Sequence, residues 1–366
     1  MLRSRHLSAV LAGLVSTFLL LGVAPSPATG APIPALPAPA APAAAPQALP
    51  DATPAATPLR VASFNVRCAN CSRNSRVNKR DKNWETRRAK VISQIKAEKV
   101  DVIGVQEASP GILKGTKISQ YEDLAKRLGT PYRLTNTYRY GCAKTTSYKN
   151  CTKVDNGASA GVRIIYNADR LDLVEQGSKQ LDNEKATSGP RFLAWAILQD
   201  KTDGRKFFFA NAHTEPGQSK AKRALRKRQA NLIVSTIKAN NPDNLPVVLV
   251  GDHSSTKLTA VNTVYDVLMA SGVVIDPLGN TRKQKSTKKA TAEKLTNVKY
   301  FTLNNFKTKP TKYKGYAIGA HIDYILVSKS IRVLEYKVVL SLKKNGKFSG
   351  VIPSDHNMVR ATILLP

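Results

Sequence analysis

Pro246-Val247-Val248-Leu249-Val250-Gly251-Asp252-His253-Ser254 runs an unbroken apolar stretch straight into a glycine, a carboxylate, an imidazole and a hydroxyl. A short β-branched run of this kind reads as a strand buried on both faces. The polar cluster at its end places reactive groups at one edge of a sheet. The same grammar recurs along the chain: residues 59–64 stop at Asn65, 100–105 stop at Gln106 and Glu107, and 206–212 stop at His213. Further strand-like runs cover 160–166, 192–198, 322–327, 333–340 and 358–364, with Asp323 inside one and Ser354-Asp355-His356 directly before the last.

Between these runs, apolar residues at three- and four-residue spacing predict helices over 84–96, 121–128, 220–238 and 259–271. Strands alternate with helices early and follow one another late, which argues for mixed rather than purely parallel pairing. The expected class is α/β (α+β): two packed mixed sheets with helices outside them. Residues 279–315 break the pattern. Arg282, Lys283, Lys285, Lys288, Lys289 and Lys294 face the single acid Glu293 there, and the segment reads as a loop or weakly ordered arm.

The chain has 366 residues and a formal net charge of +32. Residues 1–30 join Arg3 and Arg5 to an apolar run and then small residues, the pattern of a secretory signal peptide. Residues 31–58 are almost wholly Ala and Pro, an extended spacer that buries no core. Residues 59–366 then form one large domain that carries nearly all of the charge. A field that positive attracts polyanions: nucleic acid, anionic lipid surfaces or anionic wall polymers. The apolar run of the leader is short for a spanning helix and Pro25 and Pro27 follow it, so no stable membrane insertion is expected. Export makes the four cysteines candidates for disulfides. Three connectivities exist, and the local pairs Cys68 with Cys71 and Cys142 with Cys151 are favoured over a four-thiolate zinc site.

Taken singly, a strand-end Asp or Asn more often caps a turn than does catalysis. The ordered set reads differently. Ala62-Ser63-Phe64-Asn65-Val66, Val105-Gln106-Glu107, Asn211-Ala212-His213-Thr214, Gly251-Asp252-His253-Ser254, Ile322-Asp323-Tyr324 and Ser354-Asp355-His356 follow one another in the order of the endonuclease/exonuclease/phosphatase superfamily. The chain resembles that superfamily, with its deoxyribonuclease I-like fold, from about residue 59 to its end. The resemblance implies a four-layer sandwich and a metal-dependent phosphodiesterase, while the leader and the Ala/Pro spacer point to a secreted, bacterial protein, extracellular or wall-associated.

The chemistry explains the residue types. Charge growing on a phosphoryl group calls for a hard divalent cation on carboxylate oxygens. The resemblance gives Glu107 and Asp355 as its ligands and Mg2+ as the metal, with Mn2+ or Ca2+ as substitutes. Attacking water must lose a proton, a task an imidazole titrating near neutrality performs. His356 is expected to be that base, with Asp323 orienting it. His213 is expected to stabilise charge on a phosphate oxygen, and Asn65 and Asp252 to place phosphate, metal or water.

One position departs from the pattern. The superfamily reads Gly-Asp-x-Asn where this chain has Gly251-Asp252-His253-Ser254. A hydroxyl is shorter than a carboxamide and lacks its planar donor pair. Either Ser254 does the substrate-binding job less well, or the scaffold has become a catalytically impaired polyanion binder. The retained acids and histidines favour an enzyme. Its expected substrate is nucleic acid, DNA or RNA, because Lys283, Lys285, Lys288 and Tyr313 mix cations with aromatic rings in the arm. A phosphatase or sphingomyelinase of the same superfamily is the alternative.

Overall fold

The computed structural model describes residues 55–69, 71, 79–139, 157–184, 189–258, 263–279 and 285–366. The leader, all but the last four residues of the Ala/Pro spacer, Cys142, Cys151 and Lys283 lie outside them.

The described residues form β1 (Leu59–Asn65), α1 (Trp84–Ala97), β2 (Val102–Gln106), α2 (Gln120–Leu128), β3 (Tyr132–Leu134), β4 (Arg163–Asn167), β5 (Leu171–Gln180) and β6 (Phe192–Asp200). They continue with β7 (Lys206–His213), α3 (Lys220–Ala239), β8 (Val247–Asp252), α4 (Thr263–Ala270), β9 (Lys294–Thr296), β10 (Asp323–Val327), β11 (Arg332–Val338) and β12 (Val359–Leu364). One sheet has the order β3-β4-β2-β1-β12-β11-β9 and the other β10-β8-β7-β6-β5. Parallel pairs (β1 with β2, β7 with β8, β9 with β11) sit among antiparallel ones, so both sheets are mixed.

Period-two alternation sorts side chains into layers. Val61 and Val102 of one sheet meet Phe207, Phe209, Val248 and Val250 of the other in the central core. Their chain neighbours turn outward. Ala62, Phe64, Ile103 and Val105 pack under Trp84, Val91 and Ile95 of α1 and Leu124 of α2. Phe208 and Leu249 pack under Ile233 and Ile237 of α3 and Leu268 of α4. The result is the expected helix, sheet, sheet, helix sandwich. Local signals start its helices: Asn83 and Ser219 accept from the backbones of Thr86 and Lys222, and Ser119 with Glu122 forms a reciprocal capping box.

A polar seam joins the sheets beneath one edge. Gln106 Nε2 donates to Ser63 Oγ (3.1 Å) and Asn211 Oδ1 (2.7 Å), while Asn211 Nδ2 donates to the carbonyls of Val105 and Arg163. Gly104 makes room for it, since a Cβ there would lie 2.6 Å from Asn211 Cγ.

Over the described residues of 279–315 the expected loop is found apart from β9, but it is packed rather than weakly ordered. Ala292 and Val298 belong to the central core, and Thr302, Asn304 and Phe306 are buried. Sparse apolar residues among many lysines tie this stretch down. Residues 132–134, 171–180 and 294–296 add three strands that the apolar pattern does not show.

Candidate active site

Strand register brings the motifs together. Asn65 pairs with Gln106, the residue before Glu107, while Asp252 is flanked by His213 on β7 and Asp323 on β10. His356 lies three residues before β12, which runs antiparallel to β1, and so returns to the Asn65 end. Thus Asn65, Glu107, His213, Asp252, Asp323, Asp355 and His356, scattered over about 300 positions of sequence, share one edge of the sandwich.

Asn65 stands at the centre. Its Nδ2 donates to Glu107 Oε1 and to Asp252 Oδ2, both at 3.0 Å. Ser354 Oγ donates to the Asn65 carbonyl at 2.6 Å, tying the segment before His356 to β1. Glu107 Oε2 accepts from the Cys68 amide at 3.2 Å. Three residues around the site, Arg67, Glu107 and Ser254, hold left-handed backbones (φ +57°, +58° and +48°). Such conformations cost free energy and persist where surrounding structure imposes them.

His356 is enclosed by carboxylates. Nδ1 of His356 lies 3.0 and 2.9 Å from the two oxygens of the fully buried Asp323, and Nε2 lies 3.7 Å from Asp252 Oδ2. Burial disfavours the imidazolium, but Asp323, then Asp252 and Asp355, outweigh it and hold His356 well above the ordinary histidine range. Asp252 moves the other way. Burial raises its carboxyl to about 6, against the pull of His356, and Asp323 adds to the rise.

His213 is also buried, with Nε2 3.4 Å from Asp252 Oδ2. Arg191 Nη1 lies 3.0 Å from its Nδ1 and 3.1 Å from its Nε2. A guanidinium only donates, so it needs a ring lone pair; a carboxylate only accepts, so it needs a ring N–H. The tautomer with the proton on Nε2 and a bare Nδ1 satisfies both. Burial first, then Arg191, His356 and His253, push His213 well below its ordinary value, and the ring is neutral. Nothing in the order of motifs points to Arg191, which directly precedes β6 and reaches His213 with its guanidinium.

Glu107 and Asp355 are the carboxylates that could hold a divalent cation beside the Asp252, Asp323 and His356 cluster. Asp355 is raised by burial and by the nearby Glu107 carboxylate, against His356 and Arg67. Two oxygen donors of like charge held in proximity are the donor set that a hard cation relieves. Cys68 and Cys71 also lie near Glu107, but their sulfurs are joined as a disulfide, as expected, and leave Glu107 the donor there. Asp252, Asp323 and His356 cluster within 4.8 Å as well. There Asp323 engages Nδ1 of the ring and Asp252 faces Nε2.

Ser254 is buried beside Asp252. Its amide donates to Asp252 Oδ1 at 2.7 Å, and its hydroxyl reaches Asp252 Oδ1 (3.4 Å) and the Thr214 carbonyl (3.3 Å). Tyr313 is exposed and packs edge-on against Phe301 (4.6 Å between centroids), whose carbonyl accepts from Asn357 Nδ2, next to His356. Lys285 and Lys288 are exposed, and the structure does not bring them to the site. Their neighbour Lys289 lines a cleft with Ile275, Lys329 and Ile331. Ile275 bridges Val327, the end of β10 opposite Asp323.

No protein-family model and no curated protein matches the chain. Solved structures do. An endonuclease/exonuclease/phosphatase family protein from Bacteroides thetaiotaomicron superposes with a TM-score of 0.63 at 22% identity, covering 85% of this chain and 99% of that one. The chain has the endonuclease/exonuclease/phosphatase fold. A mannosyl-6-phosphatase from the same organism shares that fold at TM-score 0.61 and 23% identity, over 83% of this chain and 99% of the other. TDP2 from D. rerio, complexed with a single-stranded DNA product, shares it at 0.51 and 16%, over 84% and 99%.

Proposed function

We propose that this chain is an exported, metal-dependent phosphoester hydrolase whose substrate is nucleic acid. The observation that carries the reading is the convergence of Glu107 and Asp355 with the Asp252, His356 and Asp323 cluster on one edge of the sandwich. A divalent cation held by Glu107 and Asp355, Mg2+ in the first instance, supplies Lewis-acid stabilisation of charge on the phosphoryl oxygens.

The chain's own groups do the rest. A base needs a free electron pair near neutral pH, and the carboxylates around His356 keep its imidazole protonated. Asp252, at about 6, has that pair. The base is therefore Asp252 rather than His356: it takes the proton of the attacking water as the P–O bond to the leaving oxygen breaks, and that oxygen takes its proton from solvent. His356, cationic and aligned by Asp323, donates to a non-bridging phosphate oxygen. His213 offers its Nε2 proton on the other side of Asp252, and Asn65 fixes Glu107 and Asp252 relative to each other. Preorganised donors of this kind contribute on the order of a hundredfold each.

The +32 charge and the exposed Tyr313, packed against Phe301 and Tyr316, support nucleic acid over a small ester. The fold shared with a mannosyl-6-phosphatase favours a phosphatase as the second reading. Purified protein is incubated with plasmid DNA, RNA, bis(p-nitrophenyl) phosphate, sugar phosphates and sphingomyelin, with Mg2+ or with a chelator. Nicking that needs Mg2+ and is lost in His356→Ala and Asp252→Asn, both folded, is the expected result. Turnover of a monoester or of the lipid with intact plasmid would replace the nuclease by the second reading, and salt-dependent DNA binding without any turnover would leave an impaired scaffold.

A further inference from the structure

The segment between Ile352 and Asp355 links the site to a cleft of about 440 Å3 whose lining includes Lys79, Arg80, Lys82, Lys343, Lys347 and Phe348. The lining contains five cations and no acid. Among the described residues, no carboxylate forms an ion pair with any of the four lysines, all of which are exposed. Elsewhere in the molecule basic side chains do find acids: Arg360 with Glu98 and Glu335, Arg170 with Asp200, Lys257 with Asp276. A concave surface with this much uncompensated charge pays a repulsive cost in the free protein that a polyanion removes.

The cleft is built onto the site. Arg80 Nε donates to the Phe306 carbonyl (2.6 Å), and the amide of Asn305, one residue back, donates to the Asp355 carbonyl (3.0 Å). Arg67 spans the boundary, with Asp81 at 3.4 Å on one side and Asp355 at 3.9 Å on the other. Phe348 is held by its amide on the Thr308 carbonyl, and Lys343 and Lys347 face each other across the tight turn at Gly346. From Ile352 to Asp355 is three residues, a reach of at most ~11 Å. Successive phosphates of a strand advance by about 3.4 Å along a duplex axis, so the cleft begins within a few nucleotides of the scissile ester.

We propose that this cleft is the track for the polynucleotide strand flanking the scissile bond on the Glu107 and Asp355 side, with phosphates on its cations and a base on Phe348. The proposal rests on the nuclease reading and deepens it. The enzyme would act on chains longer than a dinucleotide, with affinity set by groups that never touch the reacting atoms.

The test uses the full chain and the double variant Lys343→Gln/Lys347→Gln, with Lys285→Gln/Lys288→Gln as a control of equal charge change at the far end of β10. Binding of a fluorescent 20-nucleotide thymidine strand is followed by anisotropy in chelator across a salt series, and hydrolysis of the strand and of bis(p-nitrophenyl) phosphate is followed with Mg2+. The cleft variant is expected to hydrolyse the small diester within about twofold of the parent. Its KM for the strand should rise roughly tenfold, and the slope of log K against log salt should fall by about 1.4, two phosphate contacts on a single strand. The control should change neither. An unchanged slope in the cleft variant, or an equal loss in the control, overturns the proposal. If the parent hydrolyses neither substrate, the nuclease reading fails while the anisotropy slopes still decide whether the cleft binds the strand.

Discussion

At the scale of single residues, the site is governed by where protons sit. Asp252 must be ionised to accept a proton, and burial holds its carboxyl at about 6, so kcat/KM is expected to climb with pH through about 6 and then level off. The sign follows from the raised value: acid protonates the base two units earlier than it would an exposed aspartate. A profile rising near 4 would mean that Asp252 is not the group titrating. Ser254 tests a different requirement. Its hydroxyl is already engaged with Asp252 and the Thr214 carbonyl, and its left-handed backbone is one that asparagine tolerates. Ser254→Asn restores a planar donor and is expected to raise the initial rate on the order of tenfold or more. An unchanged or lower rate would show that the hydroxyl is matched to this pocket.

At the scale of elements, α1 holds the site's two loops in place through one side chain. Arg87 is buried and donates to the carbonyls of Lys82 (2.7 Å), Val66 (2.8 Å), Pro353 (2.6 Å) and Arg67 (3.0 Å). Those carbonyls lie in the loops after Asn65 and before Asp355. Arg87→Leu keeps the apolar stem and orphans the carbonyls, at about 1–3 kcal/mol for each buried acceptor left unpaired. Thermal unfolding should show a loss of roughly 3 kcal/mol or more, with Mg2+ affinity reduced as well, since Asn65 and Asp355 would no longer be held together. The sequence made the apolar strands and the polar residues at their ends legible, because burial on both faces leaves a continuous β-branched run that stops where chemistry begins. It hid β5, an edge strand whose exposed Asp172 and Glu175 break any apolar pattern, and β3 and β9, too short to carry one. It also hid the supports of the site. Arg87 and Arg191 look like ordinary charges among 57 lysines and arginines, and only three-dimensional placement shows what they hold.

At the scale of the whole molecule, the sandwich stores electrostatic cost at one edge that metal binding should repay. The Glu107 carboxylate lies close enough to Asp355 to add to the burial that disfavours the Asp355 charge, and a cation that binds only the folded state stabilises that state by mass action. At a Mg2+ concentration about a hundred times its dissociation constant this amounts to ~2.7 kcal/mol, a rise in the unfolding temperature of roughly 5 °C for a domain of this size. Glu107→Gln removes both the ligand and the repulsion. The variant is therefore expected to melt no lower than the parent in chelator, and to lose most of the Mg2+-dependent rise. Calorimetry with and without Mg2+ reads this without reference to any substrate. If Glu107→Gln kept the full Mg2+ shift, the cation would be binding elsewhere on the molecule, and the carboxylate edge would have to owe its arrangement to something other than a metal.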